Sequence, residues 1–404
     1  MTRSPRSQRA VLALLILLFA PPAVSAQQDE PEQLPPGTIV YGPLTLTPSL
    51  VIKDMGRDDN VLNEAVDPKS DFTFTLTPRA SVGLRARRIR LTYVSTLDYV
   101  YYESYASERG ANLTSEARVD VDLGRLRPYV SLTGTNTRNR LNPEVDARAR
   151  HHDQIYSAGA AVRVLSRTNL LLSGRHGAIE YEPDETFRGV SLEQSFNAQV
   201  DGIEGGVGIE LTPITTFSVL AQREQQRFDL SPSRDSNSWR VWPMLSFNPT
   251  GLLTGTAAIG YRHFDALDPR LSDYSGLVAS VTIGATIYGR HQLQSTYLRD
   301  VQYSYDPSTP YYVANGGRVT WTTVVVGPVD VRGTVGRSLM HYRGEVDDAG
   351  TDTATIFGGG MGYRFSEHAR LGLNTEWIER DSDRSADREY RNRRIFASLT
   401  WGSN

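Results

Sequence analysis

The chain ends in Arg394-Ile395-Phe396-Ala397-Ser398-Leu399-Thr400-Trp401-Gly402-Ser403-Asn404. In an extended strand successive side chains point to opposite faces. Ile395, Ala397, Leu399 and Trp401 therefore share one face, and Phe396, Ser398 and Thr400 share the other. One apolar face that closes on an aromatic, backed by a mostly polar face, suits a wall between hydrocarbon and water.

The same pattern recurs upstream. In residues 277–287 the lipid face is Leu277, Ala279, Val281, Ile283, Ala285 and Ile287, opposed by Ser280, Thr282, Gly284 and Thr286, with Val278 as the apolar exception. In residues 113–123, Ala117, Val119, Val121 and Leu123 oppose Glu116, Arg118, Asp120 and Asp122. Four charges on one strand face are costly against lipid or a dry core, and a water-filled interior removes that cost. Residues 292–306 and 333–342 alternate poorly, and their register stays open.

Between these segments, eight short connections alternate with nine longer, polar ones, which gives eighteen strands. An overcounted hairpin within residues 183–211 would give sixteen. Short turns on one rim and long loops on the other is the outer-membrane arrangement, with the turns periplasmic. A soluble sandwich or solenoid also alternates, but the unbroken run of segments and the aromatic final strand favour a transmembrane antiparallel β-barrel over residues 44–404.

The N-terminus agrees with that destination. Arg3, Arg6 and Arg9 precede an apolar run from Val11 to Ala20, and Val24-Ser25-Ala26 offers small residues for cleavage. This predicts a signal peptide over residues 1–26, since so short a run cannot span a bilayer as a helix. Residues 27–43 hold Pro31, Pro35 and Pro36 and read as a short disordered periplasmic lead, too small for a folded plug. Cysteine is absent, which excludes disulfides, thiolate metal sites and a lipoprotein anchor. A net charge of −3 gives no reason to expect nucleic acid as a partner.

Few motifs suggest chemistry. Asp58-Asp59-Asn60 offers oxygen ligands, but lacks the spacing and closing glutamate of a calcium loop, and side-chain-to-backbone bonding in a turn explains it better. His151 and His152 are adjacent, so in a strand they point apart and suit no common metal. His176, His263 and His341 lack a recognisable nucleophile, and there is no G-x-S-x-G turn. The residues indicate no enzyme, no cofactor and no metal. Tyr99, Tyr101, Tyr102 and Tyr105, with Tyr303, Tyr305, Tyr311 and Tyr312, read as an outer aromatic girdle, from which Tyr102 departs by facing inward. Glu116, Arg118, Asp120 and Asp122 are the candidate lumen charges, joined by Arg163 and Glu210. Residues 140–152 and 183–197 are the loops placed to narrow the pore.

Pro48-Ser49-Leu50, Arg57-Asp58-Asp59-Asn60-Val61, Ser70-Asp71-Phe72 and Leu76-Thr77-Pro78-Arg79 resemble the opening of the putative beta-barrel porin 2 family. Arg57 stands where the family usually has tyrosine, and Trp401 is followed by three residues. The resemblance implies an outer-membrane conduit associated with export of surface polysaccharide, working with periplasmic export proteins. A small-solute porin and a non-conducting adhesion barrel are the alternatives. Outer-membrane lipid, lipopolysaccharide and the barrel assembly machinery are the partners such a barrel implies.

Overall fold

The chain is a computed structural model that describes residues 37–402 apart from 141, 249–251, 346–347 and 367. The expected signal peptide and most of the polar lead lie outside the described residues. Among those described, eighteen long antiparallel strands form one closed wall. They are β1 (Leu44–Asp58), β2 (Asp71–Ala86), β3 (Ile89–Tyr102), β4 (Gly110–Val121), β5 (Leu126–Thr137), β6 (His151–Leu165), β7 (Thr168–Tyr181), β8 (Ala198–Thr212) and β9 (Thr215–Phe228). The second half comprises β10 (Ser236–Phe247), β11 (Leu253–Ala266), β12 (Tyr274–Ile287), β13 (His291–Tyr303), β14 (Tyr311–Val326), β15 (Val329–Arg343), β16 (Thr351–Ser366), β17 (Ala369–Ser382) and β18 (Tyr390–Gly402). Closure satisfies every ladder internally, as a wall in lipid requires.

The final strand seals the barrel against the first, with Leu50 opposite Trp401 and Ile52 opposite Leu399. Their apolar side chains share the outer face. A bulge in β1 follows, with Asp54 in the left-handed region at φ 56°. Beyond it Gly56 lies so close to β18 that a Cβ would stand 2.0 Å from the Ile395 carbonyl oxygen. Only glycine permits that approach.

Two aromatic tiers mark the outer surface. Tyr99, Trp239, Tyr261 and Trp377 lie toward the loop rim, and Trp321, Tyr363 and Trp401 toward the turn rim; all seven are exposed. Trp377 pairs with Phe357 on β16, and from Phe357 to Tyr363 that strand advances about 20 Å, enough for most of an outer-membrane apolar band.

Two expectations change. Ile39–Tyr41, assigned to the disordered lead, pairs with Leu44–Leu46, because an apolar triplet beside a strand edge finds hydrogen-bond partners there. Tyr303, Tyr305, Tyr311 and Tyr312 are not in the outer girdle. Pairing between β12 and β13 stops at Ala279–Arg299, whereas β13 and β14 stay paired to Tyr303–Tyr311. Released from β12, this hairpin leans into the lumen, and Val301, Tyr303, Tyr311 and Val313 pack on Phe264, Tyr274 and Val278. Three side chains that alternation assigns to lipid, Val301, Tyr311 and Val313, are thereby buried inside, and Tyr303 is half-buried. Tyr99 and Tyr101 do face outward, and Tyr102 faces inward, 4% exposed.

Candidate functional site: a filled mouth above a charged lumen

The connection between β5 and β6, residues 138–150, turns into the barrel. The Asn142 side-chain oxygen accepts from the backbone N–H groups of Glu144 and Val145, both at 2.8 Å, which tightens the tip. Glu144 is fully buried; it accepts from Ser304 Oγ at 2.6 Å and Tyr305 N at 3.3 Å. These partners sit on the β13–β14 hairpin, eight strands round the wall, so loop and hairpin meet inside the barrel.

On the third side Arg380 of β17 donates to the carbonyls of Pro143 at 2.8 Å and Glu144 at 3.1 Å. It also pairs with Asp146 at 3.2 Å and Asp352 at 2.6 Å. Arg388 joins Asp352 at 3.2 Å and lies 3.6 Å from Glu144. Arg234 donates to the Ser304 and Tyr305 carbonyls, and Ser195 Oγ donates to Tyr305 O at 3.0 Å. Apolar contacts complete the filling. Leu192 and Phe196 of the short helix α1 (Leu192–Phe196) pack with Val145, Ala149, Tyr181, Phe187 and Tyr305. Full burial of Leu192 and Val145 contributes about 1.5–3 kcal/mol each.

Burial raises the Glu144 carboxyl to about 7, against the opposing pull of Ser304, Arg388, Tyr305 and Arg380. The closed mouth therefore binds this proton more tightly than a released loop, where the value returns to about 4.5. Its contribution to closure is fully present below about pH 4.5 and is lost as pH rises through about 7. Solute flux should increase from about pH 5 to about pH 8, and Glu144→Gln, which cannot ionise, should flatten that profile. An unchanged slope in the variant would assign the titration elsewhere.

Beneath the filled mouth, one wall carries a buried network. Arg262 pairs with Asp300 at 2.8 Å and Glu224 at 3.2 Å, and Arg240 pairs with Asp300 at 3.0 Å. Asp300 rides on the inward hairpin, so these bonds hold the hairpin to β9, β10 and β11. Such pairs specify geometry more than they stabilise it.

The turn-side half of the lumen carries most of the sequence candidates. Glu116 faces inward and is exposed, and Arg118 forms a bidentate pair with Asp120 at 2.7 and 2.9 Å while lying 3.9 Å from the Tyr129 ring. Arg163 and Glu210 face each other at 3.6 Å across β7. Asp122 lies beyond the end of β4, in a turn where its carboxylate accepts from Gly124 N at 2.8 Å, so the inward-facing charges on this strand end at Asp120. Arg79, Arg318 and Arg332 are inward-facing and exposed, and the sequence reading missed all three. Inward parity on β14 and β15 would have found two of them once register was known.

Asp58, Asp59 and Asn60 lie apart from the lumen charges, at the barrel seam. Asp58 accepts from Asn60 N at 3.0 Å and Asn392 Nδ2 at 2.9 Å, with Arg394 3.4 Å away. Asn60 donates to the carbonyls of Glu64 at 2.9 Å and Arg391 at 3.0 Å, and accepts from Glu64 N at 2.9 Å. Asp59 accepts from Arg393 N at 2.5 Å. The triplet stitches the first loop to the last strand. The histidines are dispersed: His176 meets Asp201, His263 meets Ser275 and His341 meets Thr351 on the outer face, whereas His151 is buried against Tyr181.

A family model described as Putative beta-barrel porin 2 matches residues 35–402. No curated protein matches the chain. Among solved structures the chain is similar to Pseudomonas aeruginosa OccK2 (OpdF), solved in complex with glucuronate, at 11% identity and a TM-score of 0.51, covering 88% of this chain and 98% of that one. It is also similar to a BenF-like porin from Pseudomonas fluorescens Pf-5, at 10% identity and a TM-score of 0.49, with coverage of 88% and 98%. At such identities the likeness is one of fold.

Proposed function

From the premise that the chain belongs to the putative beta-barrel porin 2 family, and is thus a porin-like β-barrel channel of the cell outer membrane, we propose that it passes small anionic solutes by diffusion. The observation that carries this reading is the set of exposed lumen guanidiniums, Arg79 on β2, Arg318 on β14 and Arg332 on β15. None forms an ion pair with a described carboxylate, whereas Arg118, Arg163 and Arg370 are each held by one. Cationic groups spaced around an aqueous path concentrate anions and repel cations. Arg318 and Arg332 also share a neighbourhood on adjacent strands, which spaces two donors along the path of a carboxylate.

The packed mouth supports solutes over polymers. Loops cross the lumen and bond to the opposite wall, so a polysaccharide strand would need the whole assembly displaced, whereas a small solute needs only the tip of one loop. The export role implied by the family resemblance is therefore not the preferred reading.

Proteoliposomes containing the protein should admit glucuronate faster than glucose. Replacing Arg79, Arg318 and Arg332 together by glutamine should remove most of that preference while leaving glucose influx unchanged. Equal rates for both solutes in the wild type would refute the anion reading.

A further inference from the structure

The arginines on the outer surface are not explained by a channel. Arg223 on β9, Arg299 on β13 and Arg337 on β15 have outward parity, and Arg223 and Arg337 are exposed. Arg223 pairs directly with Trp239 of the loop-side aromatic tier. Arg299 lies one outward position beyond Tyr297, and Arg337 one beyond Val335, on the same side. These cations therefore stand at the outer-leaflet boundary and face lipid.

Among the described residues no carboxylate forms an ion pair with any of the three. On the row that holds Arg337 and Thr355, the outward carboxylate is Glu379, and Arg391 occupies it at 2.6 Å. Arg299 donates Nε to the Leu277 carbonyl at 3.1 Å, which fixes the guanidinium, and its terminal N–H groups have no partner among the described residues. An unpaired cation against a bilayer is costly unless the lipid provides the counter-charge.

We propose that Arg299 and Arg337, with Asn315 between them on β14, form a docking site for a phosphorylated glycolipid of the outer leaflet. Their Cα positions lie two strands apart, about 10 Å sideways, and are offset by two residues, about 7 Å, along the strands. That spacing suits two phosphates carried at opposite ends of a disaccharide headgroup, each taken by one arginine. Tyr297 donates its hydroxyl to the Asn315 side-chain oxygen at 2.8 Å, which leaves the Asn315 amide N–H groups for a sugar or phosphate oxygen. The ring of Tyr297 offers a flat apolar surface just below, at the start of the acyl chains.

The test is native mass spectrometry of the folded barrel in detergent, titrated with bisphosphorylated lipid A, its monophosphorylated form and phosphatidylglycerol. The wild type should hold bisphosphorylated lipid A most tightly. Arg299→Gln/Arg337→Gln should weaken it about twenty-fivefold, at about fivefold for each arginine near an anionic surface. The corresponding double lysine variant should retain most of the affinity, and Arg391→Gln, whose partner is Glu379, should change nothing. All variants should keep wild-type heat-modifiable mobility, since the backbone ladders that flank each position are unchanged. Unaltered lipid A binding in the double glutamine variant would overturn the site. So would equal binding of phosphatidylglycerol, which would reduce it to a general anionic attraction.

Discussion

Arg380→Ala should hold the mouth open. In the wild type this guanidinium, 2% exposed, is bonded at once to Pro143 O, Glu144 O, Asp146 and Asp352. Truncation removes the anchor of the inward loop and leaves two carboxylates with too little positive charge, of which only Arg388 remains close to Asp352. Breaking one partner of a buried charge cluster costs about 3–5 kcal/mol. That is a shift of about a hundredfold or more from closed toward open. The wall itself should be unaffected, because β17 keeps its ladders to β16 and β18. Flux of small solutes should therefore rise steeply while thermal stability of the barrel stays close to wild type. A variant whose stability falls and whose flux is unchanged would mean that Arg380 holds the wall and not the loop.

The second large effect is expected at the seam. Asn60→Ala removes three hydrogen bonds, to Glu64 N, Glu64 O and Arg391 O, at a site 1% exposed. Each buried backbone group left without a partner costs about 1–3 kcal/mol, and with partial rescue by water at the rim the sum is about 3 kcal/mol. Asp58→Ala should cost a similar amount, because it strips Asn392 and Arg394 of an acceptor that is 3% exposed. Asp59→Ala should cost less than about 1 kcal/mol, since its one bond is exposed to water. Urea unfolding in lipid vesicles, followed by tryptophan fluorescence, reads all three. Equal midpoints for Asn60→Ala and Asp59→Ala would contradict a locking role for the triplet.

The wall was readable from the chain because lipid imposes a strict two-residue period. Strand β12 shows it without interruption on its outer face, and β18 shows it up to Trp401. The same rule fails where lipid is not the only neighbour. Arg299 and Arg337 break the period on β13 and β15, the two strands whose register stayed open, because the outer-leaflet boundary accepts charge. Val301, Tyr303, Tyr311 and Val313 break it for another reason: their hairpin leaves the wall and turns its outer face onto β11 and β12.

The mouth was legible only as a possibility. The sequence marks residues 140–152 as a loop placed to narrow the pore, and a connection over residues 138–150 enters the lumen. Its partners Ser304 and Arg380 are far away in sequence, and nothing local to Glu144 marks it for burial. The Asp58–Asp59–Asn60 triplet reads locally as a turn held by side-chain bonds, which describes Asp58 with Asn60. Its bonds to Asn392 and Arg391 depend on barrel closure, which no short segment reveals.

Single-channel recording of Arg380→Ala in a planar bilayer across a potassium chloride gradient tests the central claim of an arginine-lined aqueous path shut by its own loops. The expected record has frequent long openings and a reversal potential on the chloride side, against brief or rare openings in the wild type. A correctly folded variant that passes no current, or one that selects potassium, would contradict it.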